Sequence, residues 1–158
     1  MSAGKGRGMQ IAADMARRKR DAAAADLNRG RAAERAAHHQ FEQLTNYARD
    51  TESRWTEQAR VLATPELMTH HYQFMTRLHH AIGLQRDVLQ QHARQIELLT
   101  GRVREAELRL KSLQMVIDRQ RLDAEKVLAR REQKQTDEMA ANLFRRTAAA
   151  VLEEGSSR

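Results

Sequence analysis

The 158-residue chain has no cysteine and a single proline. The first absence excludes disulfides, thiolate nucleophiles and thiolate metal sites. The second leaves helices free to run without interruption. Aromatic residues make up only 4% of the chain, too few large rings to fill a globular core. No apolar run approaches the ~20 residues a membrane-spanning helix requires, and no signal-peptide core follows the basic N-terminus. A soluble cytoplasmic protein is the default reading. The glycines build no nucleotide loop, because GKGRG at residues 4–8 lacks the Walker spacing and precedes no apolar strand. No nucleophile–base pair can be assembled on helices without a pocket, so the sequence assigns no catalytic residue and no cofactor.

What is present is heptad periodicity. From Met68, steps of three and four lead through His71, Met75, Leu78, Ile82, Gln85, Leu89, His92, Ile96, Leu99, Val103, Ala106, Leu110, Leu113, Ile117, Gln120, Ala124 and Val127. Fourteen of those eighteen positions are apolar, with mostly Arg, Gln, Glu, Asp and Lys between them, the pattern of a coiled-coil seam. A thinner, alanine-rich stripe precedes it: Met9, Ala13, Ala16, Arg20, Ala23, Leu27, Gly30, Glu34, Ala37, Phe41, Leu44, Ala48, Thr51, Trp55, Gln58 and Leu62.

Between the stripes lies Ala63-Thr64-Pro65-Glu66. Thr64 suits the N-cap and Pro65 the first helical position, where its missing N–H costs nothing. Glu66 then complements the helix dipole. So short a break makes the two helices antiparallel neighbours. The predicted fold is all-α: two long helices forming an antiparallel coiled-coil hairpin over residues 9–146, with helix 1 at about 9–63 and helix 2 at about 65–146. Closing the hairpin pairs Leu62 with Met68, Trp55 with Met75, Ala48 with Ile82, Gly30 with Leu99 and Ala16 with Leu113. The glycine-rich residues 1–8 read as a flexible basic tail, and residues 147–158 as disordered. Past Gln120 helix 2 has no partner and should project alone.

The net charge of +7 is uneven. Residues 1–20 hold six basic side chains against Asp14 alone, a balance of +5, which leaves +2 for the other 138. The cluster Arg17-Arg18-Lys19-Arg20 is either a solvated face or a docking patch for an acidic partner. The seven histidines contain no His-x-x-x-His pair, so no two share a helix face as metal ligands, and no metal site is assigned. Beside the break, Phe74, Leu78 and Ala81 follow helical spacing one step off the seam at Phe74. Gln40, Leu44, Tyr47 and Thr51 form a matching stripe on helix 1. Leu44 and Leu78 read as core from their seam positions. Tyr47 and Phe74 are harder to bury between two helices, and mark a candidate partner surface.

The basic opening of helix 1, LTNY near its end, HYQFMTRLHHAI after the break and RREQKQTDE near the C-terminus together resemble the flagellar export protein family FliJ, over roughly residues 9–146. Virulence-type secretion stalk proteins are similar. The resemblance implies a non-enzymatic stalk and chaperone escort of the flagellar type III export apparatus, cytoplasmic and peripheral to the inner membrane. Its implied partners are a hexameric export ATPase of the FliI type with its FliH-type regulator, an FlhA-type export gate and export chaperones, with no nucleic acid and no membrane span. It assigns gate binding to Gln40, Leu44, Tyr47, Phe74, Leu78 and Ala81. The ATPase-facing end would hold Arg17, Arg18, Arg131, Glu132, Gln133, Lys134, Asp137 and Glu138. Two positions depart from the family pattern: Thr51 stands where the family has an aromatic, and Gln85 where it has a histidine.

A reading of a different class is a nucleic-acid-associated coiled coil using the basic N-terminus. The +2 balance of residues 21–158 and the lack of a charged face speak against it.

Overall fold

The computed structural model describes the backbone of residues 2–157 and the side chains of residues 4–157. Helix α1 spans Ser2–Leu62 and helix α2 spans Pro65–Ser156, and the described residues include no strand. The fold is the predicted antiparallel hairpin. Only Ala63 and Thr64 separate the helices. Thr64 caps α2 as its sequence position suggests: the Leu67 amide donates to Thr64 Oγ1 at 3.3 Å, and the Met68 amide to the Thr64 carbonyl at 3.0 Å.

Both ends differ from the sequence expectation. Residues 2–8, expected to be a flexible tail, continue α1, and residues 147–156, expected to be disordered, continue α2. Met1 and Arg158, which those expectations also covered, lie outside the described residues. Gly4, Gly6 and Gly8 each cost about 1 kcal/mol relative to alanine, but a helix already nucleated adds a bond for each residue fixed. At the other end, alanines 148–150 are the best helix formers available.

The chain divides into two compact units. One joins the start of α1, as far as Asp14, to α2 from Lys111 onward; the other is Met15–Leu110. In the first, Ala13 is buried and Met9 and Ile117 are half-buried. Lys5 and Gly6 line a shallow groove with Ile117, Gln120 and Ala124, so the start of α1 lies alongside α2 there. From residue 118 to residue 157 every side chain is exposed. The sequence expectation of no partner past Gln120 is not met in full, since Lys5 and Gly6 lie beside this stretch as far as Ala124.

The Met15–Leu110 unit holds most of the seam. Ala16, Leu27, Ala37 and Ala48 of α1 are buried, as are Met75, Leu78, Ile82, Leu99 and Leu110 of α2. Small residues on α1 therefore face large ones on α2. Ala48, Met75, Leu78 and Ile82 form one cluster, with Phe41 and Leu44 packed against it. Burying a Leu or Met side chain is worth about 1.5–3 kcal/mol, so a few such layers hold the pair together. The ion pairs, such as Arg20–Asp21 and Arg121–Asp118, join neighbours on one helix at the surface and add little.

At the break the seam closes later than predicted. Leu62 and Met68 are 73% and 55% exposed, so that expected layer does not form. Nothing lies beyond a two-residue connection to cover it. The layer nearest the break is instead Trp55 stacked on His71, with ring centroids 4.2 Å apart and planes 8° from parallel. The register had offered Met75, one turn further along, as the partner of Trp55.

Candidate functional site: the flank beside the break

A two-helix seam has two flanks, and residues one step off it lie half in solvent. On one flank of the Met15–Leu110 unit, Tyr47 of α1 meets Phe74 of α2 edge to face, with centroids 6.3 Å apart and planes at 80°. Tyr47 is 51% exposed and Phe74 38%. The contact shows that the two flanking stripes read from the sequence lie on the same side.

The remaining gate-assigned residues divide by burial. Leu78 is buried and belongs to the cluster with Ala48, Met75 and Ile82. Leu44 is half-buried against that cluster, and Ala81 is half-buried beside it in sequence. These three are thus less exposed than the aromatic pair. Gln40 is exposed two turns before Tyr47, on the same face of α1. Its side-chain oxygen accepts a hydrogen bond from Gln85 Nε2 at 3.3 Å. The same Gln85 nitrogen donates to the Ala37 carbonyl at 3.0 Å. Gln85 is thus a polar strut between the helices.

Thr51 lines a groove with Tyr47, Arg54, Trp55, Gln58 and His71. Trp55, one turn after Thr51, brings a ring to this groove from the seam. Sequence reasoning also missed Leu84, one turn past Ala81 and 54% exposed, which carries the apolar flank further along α2. Its signal was available, since Ala81 and Leu84 stand three apart. Arg86, exposed one step off the seam, lies 5.9 Å over the Phe41 ring.

The residues assigned to the ATPase-facing end are all exposed, but they fall in different units. Arg17 and Arg18 belong to Met15–Leu110, and the run from Arg131 to Glu138 to the other. Within that run Gln133 Nε2 donates to Asp137 Oδ1 at 3.1 Å, and Thr136 Oγ1 to the Glu132 carbonyl at 2.9 Å. Both bonds run four residues along one helix face.

Among the described residues no three His, Asp or Glu side chains are grouped to hold a metal ion. None of the described helices is long and apolar enough to cross a membrane. The geometry offers instead a stiff support, an apolar flank carrying two rings, and a long unpartnered helix end.

The family model described as flagellar FliJ protein matches residues 9–149 of the chain. No curated protein and no solved structure matches it.

Proposed function

Because the chain belongs to the flagellar FliJ protein family, we propose that it is a non-enzymatic stalk of the flagellar type III export apparatus that links the hexameric export ATPase to the membrane export gate. The flank bearing Tyr47 and Phe74 docks on the gate's cytoplasmic part. The exposed end of α2, with Arg131–Glu138, faces the ATPase, and the stalk also escorts export chaperones. Attachment is peripheral to the inner membrane, through those partners. The action is mechanical: the helices transmit ATP-driven movement of the ring to the gate and supply no reacting group.

The observation that carries this reading is the Tyr47–Phe74 pair. A hairpin with so few rings spends two of them on an off-seam contact that leaves both at least one-third exposed. Such exposure fits an interface anchor better than a core residue. The test is direct binding of the whole chain to the purified cytoplasmic part of the gate and to the hexameric ATPase. Binding to both, with loss of gate binding alone in Tyr47→Ala, supports the stalk. A chain that binds neither is not a linker.

A further inference from the structure

We propose that a groove on the Met15–Leu110 unit, between Ala16 of α1 and Arg109 of α2, docks an acidic amphipathic helix of another protein. It is a third contact surface, separate from the flank and from the end of α2. The groove begins at a poorly filled layer of the seam. At Gly30 the missing side chain is replaced by Leu99 from the opposite helix. Here Ala23 and Ala106, both seam positions, line the same groove with Ala16 beside them. Ala16 is buried and the other two are half-buried. Three methyl groups form the floor, and no larger apolar side chain lines the groove to fill it.

The walls are charged. Lys19 lines the groove from α1, Arg102 and Arg109 line it from α2, and Glu105 stands between the two arginines. All four are exposed. None of the three cations has an ion pair among the described residues, not even Arg109 with Glu105 one turn before it. The basic run at residues 17–20 thus reaches the groove through Lys19, which the ATPase-facing assignment leaves out.

The chemistry of the occupant follows from this pattern. Arg102 and Arg109 are seven residues apart, which places them ~10 Å apart along one face of α2. A helix lying along the groove matches that interval with two carboxylates seven residues apart. A basic residue between them answers Glu105. An aliphatic side chain beside them fills the notch over the alanines. Nucleic acid fits less well, because the basic row does not continue: Gln95 stands seven before Arg102 and Val116 seven after Arg109. A phosphate backbone would also meet Glu105 and gain nothing from an apolar floor.

The test uses the whole chain and a synthetic helical peptide of about twenty residues, long enough to hold a helix. The peptide carries leucines toward the groove, glutamates seven apart beside them and a lysine between. It should bind, and a scrambled peptide of the same composition should bind about tenfold more weakly or worse. Arg102→Glu combined with Arg109→Glu should weaken binding by about tenfold or more. A peptide with lysines in place of its glutamates should regain binding to that variant. Ala106→Leu fills the notch from within, so it should melt no lower than wild type and bind the peptide about fivefold more weakly or worse. Should Ala106→Leu fold poorly, a peptide with serine in place of its leucines makes the same measurement on the wild-type chain, and should bind as weakly. No binding of the designed peptide overturns the proposal. Equal binding of the scrambled peptide, or full binding by Ala106→Leu or by the serine peptide, means charge attraction alone and overturns it too. A short DNA duplex that binds more tightly than the peptide and is lost in the double-arginine variant would give the groove to nucleic acid. Self-association of the wild-type chain that this variant abolishes would give it to a second copy, and either result overturns the assignment.

Discussion

A methyl group placed on Gly30 would lie 2.9 Å from Leu99 Cδ1 and 3.9 Å from Ile96 Cγ1. Leu99 is 6% exposed, so it is a knob filling the space that Gly30 leaves. At Gly6, by contrast, an added methyl meets nothing within 4 Å. The two glycines should therefore answer oppositely to substitution. Gly6→Ala should stabilise the start of α1 by about 1 kcal/mol, the helix-propensity gain. Gly30→Ala makes the same gain but must push the Leu99 methyl aside, so its melting temperature should hardly move. Gly30→Val cannot be accommodated that way and should cost about 1–3 kcal/mol. Thermal melts of the three variants test this, and a Gly30→Val protein as stable as Gly6→Ala would break the predicted layer.

The Trp55–His71 stack makes the chain's one tryptophan a reporter for the end nearest the break. Stacked rings are worth about 0.5–1.5 kcal/mol beyond the area they bury. His71→Ala should lower stability by about that amount and shift the Trp55 emission to the red as the indole face is wetted. His71→Phe should keep both near wild type. An emission unchanged in His71→Ala would show that the rings are not in contact in solution.

How far the fold was legible in the sequence can be judged at Gly30 and Gln85. The Gly30–Leu99 layer followed from the heptad count, because a seam position without a side chain must be filled from the opposite helix. From His71 to Ile117 every predicted seam position of α2 is buried or half-buried. Legibility failed where local rules compete with context. Three glycines argued against helix at residues 2–8, yet propagation from the alanine-rich stretch beyond wins there. At the break, Leu62 and Met68 kept the pattern but had no further layer to bury them. In the candidate site, the off-seam spacing put Tyr47 and Phe74 on one flank, but that their rings touch did not follow from it. The hydrogen bonds of Gln85 had no sequence signal, because they depend on how far a flexible side chain reaches across the seam. A polar residue on the seam said only that something there would need a partner.

The end of α2 gives a prediction about partners. Side chains from residue 118 to residue 157 are exposed, including Leu143 at 66% and Phe144 at 76%. A helix held only by its own bonds opens readily to protease. Limited trypsin should cut at Arg119 to Arg146 before any site in Met15–Leu110. Adding the hexameric ATPase should slow those cuts selectively. Cleavage that proceeds at the same rate with and without the ATPase would remove the reason for assigning Arg131–Glu138 to that partner.

Phe74 and Leu78 stand one turn apart, and the flank's role turns on their difference. Phe74 is 38% exposed against Tyr47, while Leu78 is 9% exposed in the cluster with Ala48, Met75 and Ile82. Truncating a buried leucine costs about 2–5 kcal/mol, because a cavity is left behind. Leu78→Ala should therefore melt early, and any loss of gate binding should follow the loss of fold. Phe74→Ala removes a ring already partly in water, so its melting should fall much less. If that ring anchors the partner, gate binding should weaken by roughly 2 kcal/mol, the threshold of an interface hot spot. Melting and binding measured on both variants separate the two roles. A Phe74→Ala chain that melts as early as Leu78→Ala, yet binds normally once folded, would make the ring core and leave the flank without its anchor.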